Sequence, residues 1–244
     1  MIKAANFDEA RKNRYLLPEY PAVYLETHIT NLVGDFRDAS DPADRHCGQA
    51  LFADYGPGIA LTHAHPVDQW QIYLTGKARL TRKPVAPVVI QYTDEWVPYG
   101  PIEVEPEGFA LIALWPKPNI ETYEMPKDVV KIRDNLRGKP HRHLFSRMDL
   151  DASPPTALRA TTLIEDGEIW ARRWQLPPGT NFETPNPAHS GGQFFIPLSG
   201  TIVHAETEYP LWSTIYVGSD DHSIVISAGN AGADVIGMQF RPQH

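Results

Sequence analysis

The chain has 244 residues, a formal net charge of −8, 23 prolines and a single cysteine. This length is enough for one large domain or two small ones, and the acidic charge argues against a nucleic-acid partner or an anionic membrane surface. The prolines recur between short apolar runs, a pattern that favours many short strands over long helices.

The single cysteine, Cys47, excludes an internal disulfide bond and fits a reducing compartment. It is more typical of a buried small apolar residue than of a nucleophile. The first 12 residues are polar and lack the apolar segment of a signal peptide, and no window approaches the roughly twenty apolar residues of a membrane span. We therefore expect a cytoplasmic protein without a membrane partner.

Residues 1–45 are expected to form an N-terminal arm that packs on the following β-domain or on a second subunit. Short strand-like runs such as 22–25 alternate there with acidic turns such as 35–38. A strand is predicted over residues 49–55. Because a second copy can cover the open edges of a sheet, the arm predicts a homodimer.

The stretch from Gly58 to Gly76 is the best candidate for a functional strand. His63 and His65 are two residues apart, so their side chains leave the same face of an extended strand. Gln69 keeps the same parity, and Gly76 closes the run where a tight turn favours a residue without Cβ. The spacing therefore predicts two imidazoles and an amide oxygen that face one object.

This spacing resembles the first motif of the cupin superfamily, whose members are small β-barrels with a double-stranded β-helix, or jelly-roll, fold. The motif contains a glycine, a His-x-His pair, a glutamate, and a second glycine after six further residues. Here Gln69 stands in place of the glutamate. The second cupin motif, Pro-x-Gly-x-x-His, is matched by Pro98 to Glu103, with Glu103 where the family has histidine.

The resemblance implies a metal site with four ligands, which are His63, His65, Gln69 and Glu103. Imidazole and oxygen donors suit Fe, Mn, Ni, Co or Zn, and the sequence does not choose among these ions. Glu103 is also a candidate general acid or base, since apolar surroundings raise the pKa of a carboxyl group. Gln71 and Tyr73 share the parity of Gln69 and are expected to contact the substrate, with Tyr73 as a second candidate catalytic residue.

A connector is predicted over residues 126–155, between an N-terminal arm with a first barrel (1–125) and a second barrel (156–244). Proline at its start, three apolar residues at helical spacing and a glycine at 138 are helix signals. A second His-x-His pair follows, His141 and His143. It lacks the glycine frame of the first pair and is a weak ligand candidate.

The chain repeats itself at an interval of 124 residues. His189, Gln193 and Gly200 follow their counterparts in the first motif at this interval. A repeat of this length predicts two copies of one barrel in tandem, which is the bicupin arrangement.

The second copy offers a second candidate metal site, formed by His189, Gln193 and His222. In this alignment His222 falls opposite Glu103, and Pro187 replaces His63, so that Glu183 is considered as a substitute ligand.

The resemblance implies a metal-dependent enzyme that acts on a small oxygen-rich metabolite, with dioxygenase as the leading subclass and isomerase or lyase as others. The first barrel is favoured, because Gln71 and Tyr73 can orient a substrate whereas Phe195 and Pro197 of the second copy mostly fill volume. The alternative is a non-catalytic bicupin that binds a small molecule or has a structural role. Glutamine in place of glutamate in both copies favours it, and metal content discriminates the two.

Overall fold

The computed structural model describes residues 1–17, 23–35, 47–85, 87–150 and 155–243. The remaining parts of the predicted arm and connector lie outside the described residues. The elements in chain order are β1 (Ile2–Ala5), α1 (Phe7–Arg11), β2 (Tyr15–Leu16), β3 (Val23–Tyr24), β4 (Thr27–Val33), β5 (Gln49–Tyr55), β6 (Gly58–Ala60), β7 (His63–Ala64), β8 (Gln69–Leu80), β9 (Lys83–Val85), β10 (Val89–Thr93), β11 (Ile102–Trp115), β12 (Tyr123–Glu124), α2 (Val129–Leu136), β13 (His143–Arg147), β14 (Arg159–Asp166), β15 (Ile169–Leu176), β16 (Asn181–Glu183), β17 (Gln193–His204), β18 (Thr207–Tyr209), β19 (Thr214–Val217) and β20 (Val225–Gln239).

The described residues form mainly strands, so the all-β fold expected from the sequence is confirmed. The connecting helix is present as α2, which lies inside the segment that carries the helix signals and buries Ile132. Gly138 follows this helix with a φ of +76°, a left-handed conformation that glycine adopts at helix ends.

The chain divides into two compact units. The first unit is Arg14–Met148, and the second combines Met1–Asn13 with Asp149–His244. The predicted division placed the N-terminal residues with the first barrel, whereas in the structure the first 13 residues group with the second unit. Helix α2 and strand β13, which were assigned to a connector, group with the first unit.

The first unit is an antiparallel sheet with the strand order β13-β10-β8-β11-β5-β4-β2. Three short strands extend it, because β9 pairs with β8, β6 pairs with β11, and β3 pairs with β6. Strands β7 and β12 form a separate two-stranded ladder, in which Glu124 lies opposite His63. Strand β7 thus carries the first histidine of the His-x-His pair.

The second unit has the strand order β1-β19-β17-β20-β15-β14, with β16 on β20 and β18 on β17. Strand β1 pairs with β19 along all four of its residues, and the amino group of Met1 forms an ion pair with Asp221. Phe7, the first residue of α1, anchors this helix, because its ring meets Trp212 edge to face and its N–H donates to the hydroxyl of Ser213 at 3.0 Å. The N-terminal segment is therefore an edge strand of this unit.

The two units repeat the same bend at the same interval. Strands β8 and β17 differ by 124 residues at both ends, and so do β9 and β18. A Cβ added at Gly76 would lie 2.1 Å from the carbonyl oxygen of Gly108, and one added at Gly200 would lie 2.0 Å from that of Gly232. All four glycines have a φ between +67° and +78°. The repeat seen in the motifs thus extends to the backbone approach that bends each sheet.

Strand β10 shows why polar residues in the first unit need partners. All five of its residues, Val-Ile-Gln-Tyr-Thr, are buried, because the strand lies between β13 and β8 and both of its faces are covered. Buried amides and hydroxyls are almost always hydrogen-bonded. Gln91 and Thr93 of this strand therefore belong to a polar network inside the unit.

Candidate functional site

The structure places His63 and His65 side by side in the first unit. Both side chains are 5% exposed, and their ring centroids are 5.3 Å apart at an interplanar angle of 87°. Both rings line a cavity of about 40 Å³, together with Gln69, Gln71 and Tyr99 among others. This volume is enough for an ion or for a few water molecules.

Both imidazoles are held in the tautomer that leaves Nε2 available as a metal ligand. The Nδ1 atom of His63 lies 2.6 Å from the carbonyl oxygen of Leu61, and that of His65 lies 2.8 Å from the carbonyl oxygen of Glu121. A carbonyl oxygen can only accept, so each Nδ1 carries the hydrogen and each Nε2 presents a lone pair. Nδ2 of Asn119, 3.2 Å from Nδ1 of His65, donates instead to the carbonyl oxygen of Glu121 at 3.3 Å. Backbone carbonyls are frequent partners of this kind for ligating histidines.

Burial keeps both rings neutral. Loss of solvation lowers the pKa of His63, and it lowers the pKa of His65 to about 3 with a smaller contribution from His63. The Nε2 of His65 has no hydrogen-bond partner among the described residues. An unprotonated nitrogen without a partner in a buried cavity is available to a ligand or an ion.

Tyr99 is the residue at which the other polar side chains meet. Its side chain is 3% exposed, and its hydroxyl donates to Oε1 of Gln69 at 2.8 Å and accepts from Nε2 of Gln71 at 3.2 Å. The same hydroxyl lies 3.0 Å from Nε2 of His63. The hydroxyl therefore contacts two of the groups that the sequence assigns as ligands.

The backbone explains why Tyr99 reaches this position. His63, the first residue of β7, and Tyr99 exchange two backbone hydrogen bonds of 3.0 Å each in an isolated bridge. Gly100 then turns the chain with a φ of +105°, and a Cβ there would lie 3.2 Å from the carbonyl oxygen of Leu61. Sequence reasoning missed Tyr99 because it occupies the variable position of the Pro-x-Gly motif. The motif itself was the available signal.

A hydrogen-bonded chain runs behind the cavity. The hydroxyl of Tyr73 contacts Oε1 of Gln91 at 2.6 Å and Oε1 of Gln71 at 3.0 Å, and Gln91 donates to Thr93 at 3.0 Å. Burial raises the pKa of Tyr73, so its hydroxyl stays protonated. Gln71 lines the cavity, whereas Tyr73 lies behind it and orients Gln71. Gln71 can therefore contact a substrate in the cavity as expected, whereas Tyr73 does not reach the cavity.

Glu103 lies on the other face of its strand. Its neighbours Ile102 and Val104 are in the core, and alternation along β11 directs Glu103 away from them. It is opposite Ile59 and Arg79 in the ladders, and both of these residues are exposed. The backbone pair between His63 and Tyr99 sets a register in which position 103 does not reach the imidazoles, so the structure does not bring the predicted fourth ligand to the site.

The second candidate site is not assembled. His189 and His222 are exposed, whereas Gln193 is fully buried and donates to Oε1 of Gln239 at 2.8 Å. His189 has a φ of +64° in a turn, so the extended geometry that aligns the first pair is absent there. No contact among these three residues is found in the described part of the chain.

Apolar side chains fill the second unit at the positions of the polar network. At the interval of 124 residues, Phe195, Pro197, Ile215 and Val217 replace Gln71, Tyr73, Gln91 and Thr93. The rings of Trp174 and Phe182 stack at 5.2 Å in the same core, next to Phe195. The same interval places His222 opposite Pro98, because the last residues of β10 and β19, and of β11 and β20, are also 124 apart. The predicted pairing of His222 with Glu103 is thus not kept.

The donor set fits a divalent transition ion. Two neutral imidazoles, from His63 and His65, and the amide oxygen of Gln69 are nitrogen and oxygen donors of the type that Fe, Mn, Ni, Co and Zn accept. No carboxylate joins them, since no group of three or more His, Cys, Asp or Glu side chains suited to a metal occurs within the described ranges.

Among the helices of the described residues, none is both long and apolar enough to cross a membrane. No model of a known protein family matches the chain, and no curated protein matches it.

Solved structures match the chain over nearly its whole length. A candidate dioxygenase from Nostoc punctiforme aligns with a TM-score of 0.69 at 10% identity, over 99% of this chain and 83% of the other. The bacterial pirin YhhW of Escherichia coli, in complex with nickel(II), gives 0.62 at 12% identity, over 100% of each chain.

Oxalate decarboxylase of Bacillus subtilis gives a TM-score of 0.57 at 13% identity, over 100% of this chain and 78% of that one, and a further structure of it is described with Mn(II) centres. These matches show that the chain has the cupin fold.

Proposed function

We propose that this cupin-fold chain is a metal-dependent enzyme with one working site, in the first unit, and that it acts on a small oxygen-rich organic molecule. The observation that carries the proposal is the orientation of His63 and His65. Backbone carbonyls at both Nδ1 atoms leave both Nε2 lone pairs to the buried cavity region. Nε2 of His63 meets only the shared hydroxyl of Tyr99, and Nε2 of His65 has no partner among the described residues, a cost that a bound ion would offset.

The similar structures support the class of ion and of reaction. One is described with nickel(II) and another with Mn(II) centres, which are metals of the class that the donor set suits. Their names include a candidate dioxygenase and a decarboxylase of oxalate, a small oxygen-rich molecule. We therefore propose dioxygenation as the leading reaction class for this chain.

Within this proposal, His63, His65 and Gln69 hold the ion. When bound, an ion would polarise a substrate oxygen and, for the proposed dioxygenation, would activate dioxygen as the oxidant. The residues of the chain do the remaining work. Gln71 presents its amide to the cavity, where it positions a substrate oxygen, and the hydroxyl of Tyr73 holds that amide in place at 3.0 Å. Burial of the cluster excludes bulk water.

The size of the cavity restricts the substrate. A space of about 40 Å³ admits an ion and a few atoms beside it, since one water molecule needs on the order of 10–15 Å³ by this measure. The remaining lining is mostly apolar and includes Leu51, Ile102 and Trp115. We propose a substrate that enters with one oxygen-bearing end.

Metal content tests the proposal directly. Protein purified without added metal, and then supplied with Fe, Mn, Ni, Co or Zn in turn, is expected to bind about one equivalent of at least one of them. His65→Ala should lose that binding and the turnover that depends on it. His143→Ala is the matched control, because this partly buried histidine of the same unit does not line the cavity. Circular dichroism of all three proteins would verify that the fold is intact.

The competing proposal is a metal-free cupin that binds a small molecule or has a structural role. The neutral amide of Gln69 and the position of Glu103 on the other face of β11 favour it, because a neutral ligand set holds a dication weakly. If wild-type protein contains none of the five metals and binds none on addition, this alternative is established and the proposal of a metal-dependent enzyme is ruled out.

A homodimer in the cytoplasm remains part of the proposal. The residues of the arm that motivated the dimer include β1, which covers the edge of β19 in the same chain. Other edge strands are β2 in the sheet of the first unit and β14 in that of the second. Such edges are available for pairing with a second copy of the chain. Sedimentation that returns the mass of one chain would rule the dimer out.

A further inference from the structure

The hydroxyl of Tyr99 lies where the candidate ligands converge. It is 2.8 Å from Oε1 of Gln69 and 3.0 Å from Nε2 of His63, and the ring of Tyr99 is 4.6 Å from the ring of His63 between centroids. Its ring is also 6.2 Å from that of His65. All four side chains line the same cavity.

The protons in this cluster do not satisfy its acceptors. Nε2 of His63 must accept, because its Nδ1 hydrogen is directed to the carbonyl oxygen of Leu61, and Oε1 of Gln69 can only accept. The hydroxyl of Tyr99 has one hydrogen for these two acceptors. The donor to the hydroxyl itself is Nε2 of Gln71. One buried acceptor therefore lacks a proton, an arrangement that favours a cation at this point.

The lack of negative charge among the proposed ligands also favours a further ligand at this point. The proposed ligands His63, His65 and Gln69 are neutral, and Glu103, the carboxylate expected from the sequence, lies on the other face of β11. A dication in a buried site needs compensating negative charge. Tyr99 has an oxygen that can carry such charge and that already touches two of the three ligands.

We propose that Tyr99 is itself a ligand of the ion, with its phenolate oxygen in the place of the histidine of the second cupin motif. This inference rests on the proposed function. When the ion binds, the O–H bond of Tyr99 breaks, its proton passes to solvent, and its electron pair forms the bond to the metal. The ion then takes over the contacts that the hydroxyl made with Gln69 and His63. Gln71 continues to donate to the oxygen.

The experiment compares wild-type protein with Tyr99→Phe, with zinc(II) as the probe. Calorimetric titration in two buffers of different ionisation heat gives the affinity and the number of protons released per zinc. Because metal ligands must be deprotonated and the imidazoles are already neutral, wild type is expected to release about one proton and Tyr99→Phe none. The affinity of the variant should fall at least tenfold.

Tyr92→Phe is the matched control. Tyr92 is a fully buried tyrosine of the same unit whose hydroxyl donates to Asp94 at 3.2 Å, and it does not line the cavity. This variant should keep the proton release and affinity of wild type. A second readout uses iron(III): a phenolate ligand gives a visible charge-transfer absorption, which wild type and Tyr92→Phe should show and Tyr99→Phe should lack.

The outcomes separate the two proposals. If wild type and Tyr99→Phe bind zinc with equal affinity and equal proton release, Tyr99 is not a ligand and the proposed metal site stands without it. If Tyr99→Phe binds more tightly, the hydroxyl competes with the ion, which also overturns the inference. If wild type binds no metal at all, the proposed function itself fails. Thermal unfolding of each variant identifies a loss of binding that results from a loss of fold.

Discussion

His63 and Tyr99 exchange two backbone hydrogen bonds of 3.0 Å, and this pair determines which side chain of the second motif meets the imidazoles. Once Tyr99 is fixed opposite His63, the turn at Gly100 leads into β11 with Ile102 facing the core. The carboxylate at position 103 then follows the alternation of the strand to the solvent side.

Glu103→Gln is therefore expected to leave metal binding unchanged. The carboxylate lies opposite the exposed residues Ile59 and Arg79, so its removal changes neither the ligands nor their surroundings. Gln69→Ala, by contrast, removes an oxygen from the cluster and should lower the affinity about tenfold or more. Titration of both variants with zinc measures the difference, and a loss of binding in Glu103→Gln would contradict the placement of this residue.

Tyr73→Phe should destabilise the first unit without changing its shape. The hydroxyl lies within hydrogen-bond distance of the side-chain oxygens of Gln71 and Gln91, and removal of its one hydrogen leaves a buried acceptor without a donor, at a cost of about 1–3 kcal/mol. Urea denaturation gives the free energy of unfolding. Tyr24→Phe serves as the control, because Tyr24 is 63% exposed and its hydroxyl donates to Glu124 at the surface, where water can replace it, so its loss should have a much smaller effect. Equal effects in the two variants would refute the network.

Alanine substitutions at the two equivalent bends, Gly76 and Gly200, are expected to destabilise the protein to a similar extent. Gly76→Ala and Gly200→Ala would each place a Cβ about 2 Å from a carbonyl oxygen, in backbone with positive φ, so each should cost more than about 3 kcal/mol. Gly167→Ala is the matched control, since Gly167 has a φ of +62° and no atom near its Cβ position. It should show only the cost of strain, about 1 kcal/mol. Chemical denaturation that ranks Gly167→Ala with the other two would contradict the close approach.

His143 predicts a dependence of stability on pH. Burial lowers the pKa of His143 from its ordinary 6.5 to about 4, and its Nε2 is buried without a partner among the described residues. As pH falls below 6.5 the unfolded chain takes up this proton first, so stability is lost between about pH 6.5 and 4 and is constant above. Because the side chain is partly exposed, we expect on the order of 1 kcal/mol.

His143→Phe should remove this part of the pH dependence. The two buried histidines of the cavity contribute in the same sense in every variant, so the comparison isolates position 143. His141→Phe, at an exposed neighbour, should retain the slope of wild type. Urea unfolding at a series of pH values between 4 and 7 would measure the slopes, and parallel curves for wild type and His143→Phe would disprove the assignment.

Local pattern determines the part of the fold that could be predicted from the sequence. Proline-bounded β runs, the helix signals around α2 and the interval of 124 residues are all local or periodic, and the structure shows each of them. The placement of β1 on β19 could not be predicted, because no local property of Ile2–Ala5 indicates a partner more than 200 residues away.

The candidate site likewise has a part that local pattern predicts and a part that it does not. The two-residue spacing of a strand accounts for the pair His63 and His65, whereas Gln69 begins β8 after a bend at residues 66–67 and reaches the cluster through the fold. Tyr99 and Glu103 depend on the register between two segments and on a turn with positive φ at Gly100, and a motif that counts residues does not encode either. In the second copy His189 lies in a turn with positive φ, where spacing no longer implies a common face with Gln193.

The pairing of β1 with β19 has a consequence for synthesis. The ribosome makes Ile2 long before Val217, its ladder partner. Strand β1 therefore remains unpaired while the entire first unit is synthesised. The second unit cannot finish folding cotranslationally from its own contiguous residues. A fragment that starts at residue 149 would emerge with β19 bare, and would be prone to recruit a foreign strand there.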